Sequence, residues 1–423
     1  MIDLFLEYAF EYAFLYPLLM AYVWMTGALI YYSRFEMRAA NYDQPPELPD
    51  HPLVSILVPC YNEGPNAQHT FGALQEMDYP NYEIVAINDG SSDDTGQILN
   101  GLARRIPRLR VVHLATNQGK ALALKSGVLA AKGEFLVCID GDAILDHYAV
   151  TWIMSHFIHS PRVGAVTGNP RIRTRTTLLG RIQVGEFSAI IGLLKRAQRV
   201  YGRVFTISGV IGAFRRRALH QVGYWSEDTL TEDIDISWKL QLSHWDIRFE
   251  PRALCWILMP ETLRGLFRQR IRWAVGGGEA LKKYFRKILS WKSRRMWGIY
   301  VEYISSIIWA YTMLILVFLW LLNLFADLPF TMPGFSWQPQ WPGVILGLTC
   351  LLQFGVSMFI DRRYDYRVFR SYLSTIWYPL FYWSLNWIVS VVAFPQAIFL
   401  RRPGKRGRWV TTDRGISGSK SSK

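Results

Sequence analysis

The stretch LVSILVPCYNEG, residues 53–64, opens on an uncharged, mostly apolar run and turns sharply polar at its carboxyl end. A strand apolar on both faces belongs in a parallel sheet covered by helices on either side. YEIVAI (82–87), RVVHL (110–114), EFLVCI (134–139) and VGAVT (163–167) repeat the pattern. Helix candidates lie between them, beginning near Asn66, Asp93, Gly119 and Asp146, with Ser92 or Asp93 placed to cap the second. The alternation predicts an α/β doubly wound, mostly parallel sheet over residues 52–260.

Sheets of this kind bind ligands outside the carboxyl ends of their strands. Strand one ends in PCYNEG (59–64), strand two in NDGSSDDT (88–95) and strand four in DGDA (140–143), so three carboxylate-bearing turns gather at one edge. One Asp-Gly is an ordinary turn. Three in register are costly unless a cation or ligand meets them.

The chain has 423 residues, of which 51% are hydrophobic and only 19% charged, and the apolar excess is gathered into blocks. That pattern excludes a disordered chain and disfavours an ordinary soluble enzyme. Residues 12–33 and 303–326 carry no charge and are long enough to span a bilayer. Residues 327–342, rich in Pro, Gly and polar groups, read as a loop before a third span at 344–360. A fourth uncharged block, 371–400, contains Pro379 and Pro395. The first block follows Asp3, Glu7 and Glu11 rather than basic residues, which indicates an uncleaved anchor and not a secretory signal.

Basic residues orient the chain. Residues 262–297 hold eleven Lys and Arg against one acid, and 361–370 hold four Arg, so both face the cytoplasm with the central domain, while 327–342, without Lys or Arg, faces outward. Four crossings would then leave the tail 401–423 outside despite its eight basic residues. The charge count favours a final block that does not fully cross. The expected division is an anchor (1–33), a linker (34–51), the α/β unit (52–260), interfacial helices (261–298), transmembrane segments (299–400) and a basic tail (401–423). The net charge of +14 is accounted for by the two basic stretches beside the membrane, where anionic lipid attracts them, without nucleic acid. Cys60, Cys138, Cys255 and Cys350 show no metal or disulfide spacing and read as core residues.

Two clusters follow the sheet. Thr231-Glu232-Asp233 opens a helix, with Thr231 suited to cap it and the acids to complement its dipole. In QRIRW, Gln269, Arg272 and Trp273 at i, i+3 and i+4 share a helix face that also suits an interfacial helix.

The order DG, DGD, TED, QxxRW on an α/β unit bracketed by spans resembles the processive family 2 inverting glycosyltransferases, the makers of cellulose, chitin, hyaluronan and poly-N-acetylglucosamine. The stretches 164–187 and 231–263 are most similar to the poly-β-1,6-N-acetylglucosamine branch. Those relatives commonly carry two N-terminal spans, and one is read here. The resemblance implies a GT-A-like sheet inserted between transmembrane helices, in a bacterial inner membrane with the catalytic domain cytoplasmic. It implies UDP-GlcNAc as donor and a growing β-1,6-linked biofilm exopolysaccharide as product, exported as it is made. By the same resemblance Pro59, Tyr61, Glu63, Asp89, Asp140 and Arg272 contact the donor, and Asp142 with Asp140 holds Mg²⁺ or Mn²⁺. Gln269 and Trp273 hold the acceptor, and Asp233, beside Glu232, is the base. A carboxylate of ordinary pKa is a poor base at neutral pH, so that role requires burial or neighbouring acids. A small two-span membrane subunit and cyclic di-GMP at its contact are implied as partners. Other β-polysaccharides, transfer to a lipid carrier, or a UDP-binding scaffold without catalysis are the alternatives left open.

Overall fold

The computed structural model describes residues 1–326 and 340–400, which include eight strands in one sheet. They are β1 (Val54–Cys60), β2 (Tyr82–Asp89), β3 (Leu109–Leu114), β4 (Phe135–Ile139), β5 (Ile144–Leu145), β6 (Val163–Ile172), β7 (Ile211–Arg215) and β8 (Asp246–Ile257). The order is β3-β2-β1-β4-β7-β6-β8-β5. The half from β3 to β4 is parallel, β7 runs antiparallel to both its neighbours, and β8 is parallel to β6 but antiparallel to β5.

Every residue of β1, β4, β6 and β7 is buried, as strands covered on both faces must be. On one face Phe71, Leu74, Leu99, Ile153 and Phe157, from helices Gly64–Gln75, Thr95–Arg105 and Ala149–His159, pack over the sheet. On the other, Leu124, Val128, Leu219, Ile236 and Leu240 do so from Lys120–Ala130, Arg216–Val222 and Glu232–Leu242. Five expected strands and their helices stand within three residues of their predicted starts. β5, β7 and β8 were not foreseen, and they make the sheet mixed.

Four helices are long and apolar enough to cross a membrane: Ile2–Glu36, Trp291–Asn323, Trp341–Asp361 and Val368–Leu400. The first begins ten residues before the uncharged block and carries Asp3 and Glu7 on its exposed extension. In the last, residues Val368–Trp377 form a 3₁₀ run, and only Tyr378–Pro395 is α-helical. Eighteen helical residues reach about 27 Å, close to the ~30 Å of a hydrocarbon core. The expected outer loop lies outside the described residues except for 340–342, and the basic tail lies outside them entirely. All four cysteines are buried, and none is in a disulfide.

An unforeseen element joins sheet to membrane. Residues Leu178–Glu186, Phe187–Leu193 and Leu194–Tyr201 form one continuous helix with a π segment in its middle. Ile182, Val184 and Phe187 share a core with Cys350, Phe354 and Met358 of the third span. A buried ionic network lies beside it. Arg196 meets Glu36 at 2.7 Å and Asp361 at 3.0 Å, Arg171 meets Asp361 at 2.6 Å, and Arg175 meets Asp365 at 2.5 Å. Tyr364 Oη donates to Glu36 at 2.6 Å. The first span, the joining helix, β6 and the end of the third span are thus tied at one point.

Candidate active site

The strand ends, the helix Glu232–Leu242 and the helix Leu263–Ile288 converge on one cavity of about 670 Å³. Glu63, Asp140, Asp142, Glu232, Asp233, Gln269, Arg272 and Trp273 all stand in its wall. Pro59, Tyr61 and Asp89 do not. Asp89 is fully buried, and its two oxygens accept the N–H groups of Gln118 at 2.8 Å and Gly119 at 2.9 Å. That carboxylate therefore shapes the turn leading into helix Lys120–Ala130.

The turn delivers a residue the sequence reading overlooked. Lys120 Nζ donates to Asp140 at 2.5 Å and to the Gly209 carbonyl at 2.9 Å, and it stands 3.3 Å from Glu232. Burial works against its charge, but Asp140 and Glu232 more than compensate and hold the amine protonated. Lys120 thereby links the DGD turn to the TED helix. The signal for it was present: β3 also ends at this edge, and its turn, ATNQGK (115–120), deserved the scrutiny given to the other three.

Asp233 makes no ion pair with a cation among the described residues. Its Oδ1 accepts the N–H of Ile234 at 2.9 Å. Burial, with the charge of Glu232 beside it, pushes its pKa up from 3.8 to about 6, against the pull of Lys120 and Arg272. That is the elevation a general base near neutral pH requires. Gly209 backs it closely, since a Cβ there would stand 2.9 Å from Asp233 Oδ2. Thr231 caps nothing: its hydroxyl is buried without a partner, so the purely structural reading of the TED cluster loses its main support.

The QxxRW helix packs tightly because it carries three successive glycines. A Cβ at Gly276 would strike Thr231 Oγ1, and one at Gly277 would strike Tyr303 Oη. On this helix Gln269 Oε1 is buried without a hydrogen-bond partner among the described residues. Arg270 pairs with Glu186 at 2.5 Å and lies over the Trp273 ring at 4.4 Å, which holds that ring in place. Arg272 is exposed and makes no ion pair among the described residues, and its charge reaches Asp233. Lys195, also overlooked, stands in the wall with its Nζ donating to Thr167 Oγ1 at 3.0 Å, and burial lowers its pKa to about 7.

No group of three or more His, Cys, Asp or Glu side chains forms a cage for a metal among the described residues. Two neighbouring aspartates, Asp140 and Asp142, in a cavity wall suit an octahedral cation that completes its shell with substrate phosphates. The donor set therefore fits Mg²⁺ or Mn²⁺.

The same wall continues into the membrane helices. Tyr16 and Trp24 of the first span, Glu302 and Ser306 of the second, and Asn386 and Ser390 of the fourth line it. The sequence stretch 51–276 matches the family model described as glycosyltransferase like family 2. This chain belongs to that family. It is 38% identical over 412 residues to a poly-beta-1,6-N-acetyl-D-glucosamine synthase of Staphylococcus epidermidis, covering 96% of this chain and 99% of the relative. It is 38% identical over 408 residues to the synthase of the same name from Staphylococcus aureus strain COL, covering 96% and 98%. Among solved structures it resembles a Pyrobaculum calidifontis mannosyltransferase in complex with GDP-Man and Mn²⁺, with a TM-score of 0.57 at 19% identity, covering 91% of this chain and 99% of that one. This likeness supports the GT-A-like sheet between membrane helices.

Proposed function

We propose that this glycosyltransferase polymerises N-acetylglucosamine from UDP-GlcNAc into β-1,6-linked poly-N-acetylglucosamine and passes the chain outward as it grows. The observation that carries the reading is the single cavity whose wall runs from Asp142 and Asp233 past Trp273 to Trp24, Glu302 and Ser390. The names of the staphylococcal relatives support the sugar and the linkage.

In this mechanism the terminal sugar of the acceptor rests against Trp273, with a hydroxyl donating to Gln269. Asp233 removes the proton of the acceptor C6 hydroxyl as that oxygen attacks the anomeric carbon of the donor. Attack from the face opposite the diphosphate inverts the configuration, and UDP departs. Arg272 pairs with the diphosphate, and Asp142 with Asp140 holds a divalent cation that, when bound, supplies charge to the leaving group. Lys120 is a positioning residue, fixing Asp140 relative to Glu232 before the donor arrives. Glu63 borders the donor side, while Asp89 acts through the Gln118–Gly119 turn.

A hydrated polysaccharide cannot enter lipid, so a protein-lined exit is required. Residues 52–260 would form the cytoplasmic catalytic unit and 261–298 its membrane-facing helices, in the inner membrane of a bacterium. Four spans enclose little space, which favours a small two-span partner subunit, with cyclic di-GMP acting at that contact.

The test is incubation of membranes carrying the full chain with labelled UDP-GlcNAc. A high-mass product cleaved by hexosaminidase is expected. Transfer of a single sugar to lipid, or no product from UDP-GlcNAc, would overturn the reading.

A further inference from the structure

A second cavity, of about 860 Å³, lies apart from the catalytic one and shares no wall residue with it. Arg162, Arg203, Arg217, Lys292, Arg294 and Arg295 line it, and no Asp or Glu does. Asp246, next to the lining residue Trp245, is already taken by Arg199 at 2.9 Å and Arg248 at 2.6 Å, with Arg203 at 4.0 Å. The remaining five cations make no ion pair with a carboxylate among the described residues. Two of them turn their guanidinium groups to backbone or ring: Arg217 donates to the Pro161 carbonyl and lies over Trp245, and Arg294 donates to the Trp291 carbonyl. Six like charges around one hollow give it a positive potential, with buried Arg203 at its back, and an anion entering it would meet several cations at once.

Its position identifies the anion. Lys292, Arg294 and Arg295 belong to the turn Trp291–Met296, directly before the span helix Trp297–Asn323, which puts them at the level of lipid headgroups. Trp291 on that turn and Leu289, at the end of the helix before it, are 70% and 58% exposed, and Trp291 meets Trp297 edge-on at 5.6 Å. Exposed Trp beside Arg at a helix foot is the signature of the interface. We propose that this pocket binds the phosphate headgroup of an anionic phospholipid from the leaflet facing the catalytic domain. The site anchors the β6–β8 end of the sheet to the membrane through Arg162, Arg203 and Trp245.

The test uses the full chain in detergent, titrated with phosphatidylglycerol, with phosphatidylcholine and with inorganic phosphate, read by native mass spectrometry. Phosphatidylglycerol should bind in a salt-sensitive manner, and the other two should not compete. The triple substitution Arg162→Gln, Lys292→Gln, Arg295→Gln should weaken phosphatidylglycerol about a hundredfold, since each cation near an anionic surface contributes about fivefold. Removing the same charge at exposed Arg104, Arg105 and Lys132, near the β3 end, should leave it unchanged. UDP binding verifies that each variant is folded, and if the triple variant is not, Lys292→Gln alone should give about the fivefold loss. Unaltered phosphatidylglycerol binding by the folded variant, or equal competition by inorganic phosphate or phosphatidylcholine, would overturn the proposal.

Discussion

Two ionic clusters sit at the junction of sheet and membrane, and they are built on opposite terms. Around Arg196 the charges balance: Glu36, Asp361 and Asp365 face Arg171, Arg175 and Arg196, and every acid has a cation within 3.0 Å. Around Lys120 they do not. Asp140 and Glu232 share one ammonium, and Asp233 next to them has no cation of its own. The balanced cluster is sealed in the interior, whereas the unbalanced one opens on a cavity. Paired charges fix the position of helices, and surplus charge facing a cavity is the mark of chemistry.

Asp233→Asn breaks the unbalanced cluster with the largest effect. Loss of a general base costs about 10²–10⁴ in rate, to be read as polymer formed per minute with UDP binding preserved. Stability should move the other way. The folded state holds a proton on Asp233 up to about pH 6, against 3.8 for the free group, so stability falls as pH rises through that window. The ionised side chain is a cost at neutral pH, and its neutral replacement should keep or raise the unfolding temperature. In the balanced cluster the outcome reverses. Arg196→Met leaves Glu36 without its cation and Asp361 with Arg171 alone, and should cost about 3–5 kcal/mol in thermal unfolding, with donor binding retained in the fraction that stays folded.

The pH profile sharpens the comparison further. The rate should fall below about pH 6 as Asp233 takes up its proton. Removing a cation raises a neighbouring acid's pKa, so Lys120→Met should move that acidic limb upward. Lys195 titrates near 7, and Lys195→Met should leave a limb from Asp233 in place. The smallest effect is expected at Thr231. A true helix cap would cost about 1 kcal/mol on removal. Its hydroxyl has no partner, so Thr231→Val should change stability by less than about 0.5 kcal/mol, measured by thermal denaturation.

The parallel half of the sheet was legible because its strands are buried on both faces and read as apolar runs ending in acidic turns. β8 was not, although DIRFEPR alternates polar and apolar residues as a strand should before the apolar run ALCWI. Glu250 and Arg252 break its apolar character with charge, yet those charges are satisfied by each other and by His156. The joining helix 178–201 was hidden by Gly180, Gly185 and Gly192, which lower helix propensity. Gly185 and Gly192 are small because Thr375 and Met358 press on one, and Arg196 with Asp361 on the other, contacts no local pattern reveals. Of the cavity wall, the DGD, TED and QxxRW motifs were readable from type and spacing, while Asp89 of the DG motif lies behind it. Lys120 was legible only through the polar turn after β3, and Lys195 looks like an ordinary helix cation until the fold brings it to the cavity.

The central claim is that donor, base and membrane path share one cavity. Its most direct test is an experimental structure of the full chain with UDP, Mn²⁺ and an N-acetylglucosamine oligomer. The account predicts the diphosphate at Asp142 and Arg272, the terminal sugar between Trp273 and Asp233, and the following sugars running toward Trp24 and Glu302. An oligomer bound elsewhere, or a terminal hydroxyl beyond hydrogen-bond reach of Asp233, would contradict it.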